Sequence, residues 1–104
     1  MKKKVIHKSP AEYRVRYCIN GSVEDSTQYY SVYHSSEALE FLAHTFRRGH
    51  IHGGDLKVVD VEEYNRFTTR WESRLVKAVE HAEMPEIQVI DGKVFLKKWQ
   101  TKTS

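Results

Sequence analysis

Four cations recur along the chain at spacings that suit one face of an α-helix. They are Arg66, Arg70, Arg74 and Lys77. At about 100° per residue these positions fall within one arc of a helix surface. Guanidinium groups bind phosphates and carboxylates alike, often through two parallel hydrogen bonds. The spacing therefore predicts a docking surface for nucleic acid or for an acidic protein surface. The alternative is a solvated helix face whose charge is balanced by Glu62, Glu63 and Glu80.

The helix that would carry these cations is predicted over residues 60–82. Asp60 can act as its N-cap, and Glu63 completes a capping box. The opposite side of this helix is apolar and would pack on the core. Its residues are Tyr64, Phe67, Trp71, Leu75, Ala78 and Ala82. A longer strand is the alternative, because residues 58–61 and 66–69 are rich in β-favouring types.

An alternating segment near the start of the chain predicts a strand with a cationic outer face. Tyr13, Val15 and Tyr17 would face the core, and Arg14 and Arg16 would face outward. Residues 27–34 predict a second strand, which would pair with the first in an antiparallel hairpin. The sequence leaves open whether Tyr29 and Tyr33 or Tyr30 and Val32 face the core. If the first pair shares the side of the arginines, the surface could stack bases and bind phosphates.

A helix is predicted after this hairpin, beginning near Ser35 and Ser36. Its apolar residues Leu39, Leu42 and Phe46 recur at helical spacing. Arg47 and Arg48 occupy its last turn, where cations suit the helix dipole, and Gly49 follows as the C′ residue. The two arginines are further candidates for the cationic surface.

The histidines offer a weaker candidate site. His44, His50 and His52 lie within a short stretch that also contains Asp55, and imidazole and carboxylate groups are ligands for zinc or nickel. A His-X-His sequence beside glycines more often belongs to a flexible turn. We therefore predict no metal site and no cofactor.

No segment of the chain has the pattern of a catalytic motif. The single cysteine, Cys18, lies within a predicted strand that offers nothing to lower its pKa. The chain contains no nucleophile elbow, Walker loop or dinucleotide-binding glycine pattern. These observations favour a noncatalytic protein, and a metal-dependent enzyme at the histidines is a minor alternative.

Length and composition predict one ordinary globular domain. The 104 residues carry a formal net charge of +3, with 39% hydrophobic and 30% charged residues. We expect a basic N-terminal arm over residues 1–11, a domain over residues 12–99 and a tail over residues 100–104. The predicted fold is α+β in the order ββαβαββ, with an antiparallel or mixed sheet packed by two helices.

The function predicted from these features is noncatalytic nucleic-acid binding through the basic helix face and the basic hairpin surface. The alternative is a protein-interaction module, such as a small regulator or inhibitor of a larger protein assembly. No apolar run is long enough to span a membrane, and no signal peptide is evident. With a single cysteine, a cytoplasmic location is expected.

Overall fold

The computed structural model describes residues 9–19, 22–49 and 55–97. Within these ranges one antiparallel sheet of six strands carries two helices. The elements in chain order are β1 (Ala11–Ile19), β2 (Ser26–Val32), α1 (Ser35–Arg47), β3 (Leu56–Asn65), β4 (Arg70–Ser73), α2 (Leu75–His81), β5 (Ile87–Ile90) and β6 (Lys93–Leu96). The predicted α+β class, with one sheet packed by two helices, is confirmed. The observed order is ββαββαββ, in which β4 is one strand more than the sequence suggested.

Strand β3 is the centre of the sheet. The strand order is β2-β1-β3-β6-β5, and β4 also pairs with β3. One edge of β3 is covered by β1, while the other is shared by β6 at residues 56–58 and β4 at residues 62–65. The β1–β3 register shifts between Arg16, which is opposite Asp60, and Tyr17, which is opposite Val58. Val59 is therefore the extra residue of a β-bulge, a feature that bends and twists a strand.

The core lies between one face of this sheet and the helices. Tyr13, Val15 and Tyr17 of β1 are buried, as the alternating pattern predicts. The predicted apolar face of α1 is also confirmed, because all three of its large apolar residues are buried. These are Leu39, Leu42 and Phe46. The remaining large core residues come from the central strands, which supply Leu56, Val58, Val61, Val94 and Leu96.

Two turns follow the chemistry of their residues. Asp91 and Gly92 both have positive φ, at 51° and 74°, and join β5 to β6. Positive φ at both central residues is the geometry of a type I′ turn, which matches the twist of a hairpin. Gly49, with φ of 75°, ends α1 as its C′ residue.

The helix predicted over residues 60–82 is wrong over residues 60–74. Residues 60–65 continue β3, residues 70–73 form β4, and α2 begins only at Leu75. Asp60 does not cap a helix, because its Oδ1 accepts hydrogen bonds from the Val61 amide at 2.9 Å and the Ser73 hydroxyl at 2.7 Å. Pairing with β1 outweighs the capping pattern at this position.

The turn between β3 and β4 is built by Asn65. Its Oδ1 accepts hydrogen bonds from the amides of Phe67 at 2.9 Å and Thr68 at 3.2 Å. Thr69 then takes a positive φ of 57°, which reverses the chain. Phe67 is consequently 99% exposed instead of packing on the core as predicted.

The exposure of Phe67 gives a direct stability test of this turn. We expect Phe67→Ala to change the free energy of unfolding by less than about 0.5 kcal/mol, because the ring buries almost nothing. The matched variant Phe46→Ala should lower it by roughly 3–5 kcal/mol, because Phe46 is buried in the core. Urea denaturation measures both. A comparable loss for the two variants would favour the helical packing of Phe67 instead.

Candidate interaction surface

The face of the sheet away from the helices carries a row of polar and aromatic side chains. In β1, the residues between the buried Tyr13, Val15 and Tyr17 point to this open face. Arg14 is paired with Tyr29 on β2 and with Glu62 on β3, and directly opposed residues share a face. The register of the first hairpin thus places Tyr29 beside the arginines.

Tyr30 lies on the other face of the same hairpin. It is paired with the buried Tyr13 and stacks on Phe41 of α1, with ring centroids 5.9 Å apart. Tyr33 follows the end of β2 and lines a cleft on the helix side. Of the two alternatives that the sequence left open, Tyr30 and Val32 are the pair that packs inward.

Three aromatic rings meet on the open face and form what we call the aromatic cluster: Tyr29, Tyr64 and Trp71. The Trp71 ring centroid lies 5.2 Å from that of Tyr64 and 6.0 Å from that of Tyr29. The Arg14 guanidinium carbon lies 4.4 Å from the Trp71 centroid, a cation–π contact. The cluster thus spans from β2 to β4 across the two strands between them.

The cluster stands beside a nearly buried carboxylate. Glu62 is only 8% exposed, and its Oε1 accepts hydrogen bonds from Arg14 Nε at 2.8 Å and from Arg16 Nε at 2.9 Å. Burial alone would raise the pKa of Glu62, but the hydrogen bonds and charges of the two arginines outweigh it and lower that pKa. Both arginines are therefore already engaged by an anion, which reduces what they can offer to a phosphate.

The turn beyond the aromatic cluster projects three exposed side chains. We call residues 66–70 the hairpin tip, in which Phe67 stands between Arg66 and Arg70. Among the residues that the structure describes, neither of these arginines forms an ion pair. The tip therefore combines an exposed aromatic ring with two unneutralised cations.

The other two cations of the predicted helix face lie elsewhere. Arg74 precedes α2 and pairs with Glu72 at 2.9 Å and with Glu63 at 3.4 Å. Lys77 is exposed on α2, next to the helix-side cleft. A single stripe of four cations is consequently wrong, because two of them lie on a hairpin and two at a short helix.

Arg47 and Arg48 differ in their contacts: Arg47 forms an ion pair, whereas Arg48 forms none with the described residues. Arg47 ends α1 and reaches Glu86, with Nη2 2.7 Å from Oε1 and a second contact from Nε to Oε2. Glu86 is 1% exposed, so this pair holds the segment before β5 against α1. Arg48 is exposed and has no ion pair within the described part of the chain.

A cleft of about 660 Å³ lies on the helix side, between the start of β1, the start of α1 and α2. Burial, followed by the charge of Glu63, raises the pKa of Tyr13 in this cleft to about 12. The Tyr13 hydroxyl therefore stays protonated at neutral pH and donates to Glu63 Oε1 at 3.3 Å. The raised pKa disfavours the phenolate form that a general base or a nucleophile would need.

The histidine candidates are only partly described. His44 is exposed on α1, whereas His50 and His52 lie outside the described residues. Within residues 9–19, 22–49 and 55–97, no three His, Cys, Asp or Glu side chains are placed to hold a metal ion. None of the helices in these ranges is long and apolar enough to cross a membrane.

The positive charge of the chain is unevenly distributed. All fourteen carboxylate residues lie in the described ranges, together with eleven of the seventeen lysines and arginines. These ranges therefore carry a formal charge of −3. The remaining cations lie near the two ends of the chain, and they are Lys2, Lys3, Lys4, Lys8, Lys98 and Lys102. The basic pI consequently derives from the ends and not from the sheet and helices.

The structural role of Arg47 predicts a pH-dependent stability. The hydrogen bonds from Arg47 hold the pKa of Glu86 below its ordinary value of 4.5, so the folded state favours the ionised carboxylate. Its contribution is complete above pH 4.5 and is lost as pH falls through the lowered pKa. Arg47→Met should therefore unfold at lower urea concentration than the wild type at pH 7, and the difference should shrink towards pH 3.

Arg48→Met is the matched control, because Arg48 is the next residue and is exposed. It should unfold with the wild-type midpoint at both pH values. An equal loss in the two variants, or a loss for Arg47→Met that does not depend on pH, would contradict the assigned role.

Comparison with known proteins gave no relative for this chain. No protein-family model, no curated protein and no solved structure matches it.

Proposed function

We propose that the protein is a noncatalytic interaction module that binds an acidic surface of another protein, with a cytoplasmic location. The binding surface is the hairpin tip together with the adjoining aromatic cluster. The observation that carries this proposal is Phe67, an aromatic ring that is 99% exposed between two arginines that form no ion pair with any described residue. Aromatic residues and arginine are the types that most often supply the binding energy of protein interfaces.

The Phe67 ring remains in solvent after the chain folds, so its burial by a partner would contribute to the free energy of binding. Complete burial of a phenylalanine side chain contributes about 1.5–3 kcal/mol. The turn that carries it is already ordered by the hydrogen bonds to Asn65 and by the positive φ of Thr69. A partner would therefore bury Phe67 without a large cost for ordering the backbone.

Local charge favours an acidic partner. Arg66 and Arg70 flank the ring and can each bind a carboxylate through two hydrogen bonds. Around them the described part of the chain is net negative, so its overall field does not attract a polyanion. A partner that fits has an apolar recess for Phe67, bordered by carboxylates that pair with Arg66 and Arg70.

The proposal is tested by removing the ring. We expect a stoichiometric protein partner in a pull-down with the full chain, and we expect Phe67→Ala to weaken that complex about tenfold or more in calorimetry. The matched control is Val23→Ala, because Val23 is 98% exposed but lies in the β1–β2 loop. It should bind as the wild type does.

Two outcomes would contradict the proposal. One is the absence of any stoichiometric partner in pull-downs at moderate salt. The other is a partner whose affinity is unchanged by both Phe67→Ala and a double Arg66→Ser, Arg70→Ser substitution, because such a partner would use another surface.

Nucleic-acid binding is the second candidate function. It is favoured by the aromatic cluster on an open sheet face, where Tyr29 is 66% exposed and could stack on a base. The lysines near the chain ends would contribute electrostatic attraction to phosphates. The pairing of Arg14 and Arg16 with Glu62 counts against it, as does the negative charge of the described ranges.

Fluorescence anisotropy with a labelled single strand of mixed sequence separates the two functions. If the second function holds, binding should weaken steeply between 50 and 200 mM salt. Tyr29→Ala should remove roughly 1–3 kcal/mol of affinity, as expected for one stacked base, while Tyr33→Ala should not. Absence of binding at 50 mM salt would exclude this function.

A further inference from the structure

Strand β2 is the longest strand of the described sheet that pairs on one side only. Within the described residues its outer edge pairs with no other strand, while β5, at the opposite end, has only four residues. The sequence of β2, STQYYSV, contains no charged residue and no proline. Natural edge strands usually carry lysine, proline or a bulge, because free backbone N–H and C=O groups otherwise pair with another chain.

We infer that the protein forms a symmetric dimer in which β2 pairs antiparallel with β2 of a second copy. The twelve strands of the two copies would then form one continuous sheet. This inference rests on the edge of the sheet and not on the hairpin tip. The two proposals share Tyr29, which is the member of the aromatic cluster that lies on β2.

Symmetry fixes the register of this pairing. A two-fold axis perpendicular to the sheet keeps each side chain on its own face of the sheet. Because directly opposed residues share a face, the axis must pass between one residue and the same residue of the second copy. Full overlap of the seven residues of β2 places Tyr29 on the axis, opposite Tyr29 of the second copy. Thr27 is then opposite Ser31, Gln28 opposite Tyr30 and Ser26 opposite Val32. Because the strand has no charges, no like charges oppose each other.

Exposed aromatic side chains lie on both faces of the sheet beside β2, and they favour a second copy of the chain as the molecule that pairs with this strand. On the open face Tyr29 is 66% exposed, and on the helix side Phe41, which stacks on Tyr30, is 50% exposed. A single extended peptide would add backbone hydrogen bonds but no second helix layer. A second copy brings its own α1 and its own Tyr29, so aromatic surface on both faces is buried together with the strand edge.

Sedimentation of the full chain tests the dimer. We expect a species of twice the 12.2 kDa chain mass at micromolar concentration. Tyr29→Lys should weaken the dimer at least tenfold, because it places two like charges opposite each other at the axis. Val89→Lys is the matched control, because Val89 is an exposed apolar residue on the opposite edge strand, and it should remain dimeric. A monomeric wild type at 100 µM, or equal effects of the two variants, would overturn the inference.

Cross-linking tests the register and is independent of affinity. In a Cys18→Ser background, Tyr29→Cys should form an intermolecular disulfide, because directly opposed residues have Cα atoms about 4.5–5.5 Å apart. Thr27→Cys should not, because its own copy would lie about 13 Å away along the paired strands. Efficient cross-linking of Thr27→Cys, or none of Tyr29→Cys, would overturn the register. Loss of partner binding by Phe67→Ala with an intact dimer would leave this inference standing.

Discussion

The hydrogen bonds between Glu62 and the two arginines of β1 organise the centre of the sheet. Glu62 lies on β3 where β1 and β4 flank it, and its nearly buried carboxylate requires compensation by cations. Arg14 and Arg16 provide that compensation only when residues 60–65 run alongside β1 as a strand. The same pairing places Arg14 against Trp71, so the ion pairs and the aromatic cluster form one connected unit.

This unit decides which cations are free to bind a partner. Arg14, Arg16, Arg47 and Arg74 each have a carboxylate partner within the domain. Among the arginines of the described ranges that form no ion pair, Arg66 and Arg70 stand together beside an exposed aromatic ring, whereas Arg48 lies at the end of α1. Within the described ranges the carboxylates outnumber the lysines and arginines, by fourteen to eleven. The surface feature that distinguishes the described part of the chain is the hairpin tip, which adjoins the packed rings of the aromatic cluster.

The elements with one consistent local signal were predictable, whereas β4 was not. Alternation in β1 and helical spacing in α1 each agree with the tertiary contacts that these elements make. Tyr64 and Trp71 are seven apart, which is two helical turns but is also the distance between partners across a four-residue hairpin turn. Periodicity alone cannot distinguish these arrangements. Asn65, a residue that favours turns, was the available signal for the hairpin, and the Glu62 contacts that decide the matter are long-range.

The change of partner along β3 has a consequence for how the molecule opens. Strand β6 pairs only with residues 56–58, after which the same edge of β3 passes to β4. The β5–β6 hairpin pairs with β3 at only three positions, and its other contacts include the buried Val94 and Leu96, the Lys97–Asp55 ion pair and the contact between Arg47 and Glu86. We therefore expect this hairpin to open more readily than the β2-β1-β3-β4 portion of the sheet. The Arg47–Glu86 contact holds this hairpin against α1, and protonation of Glu86 at low pH would weaken that contact.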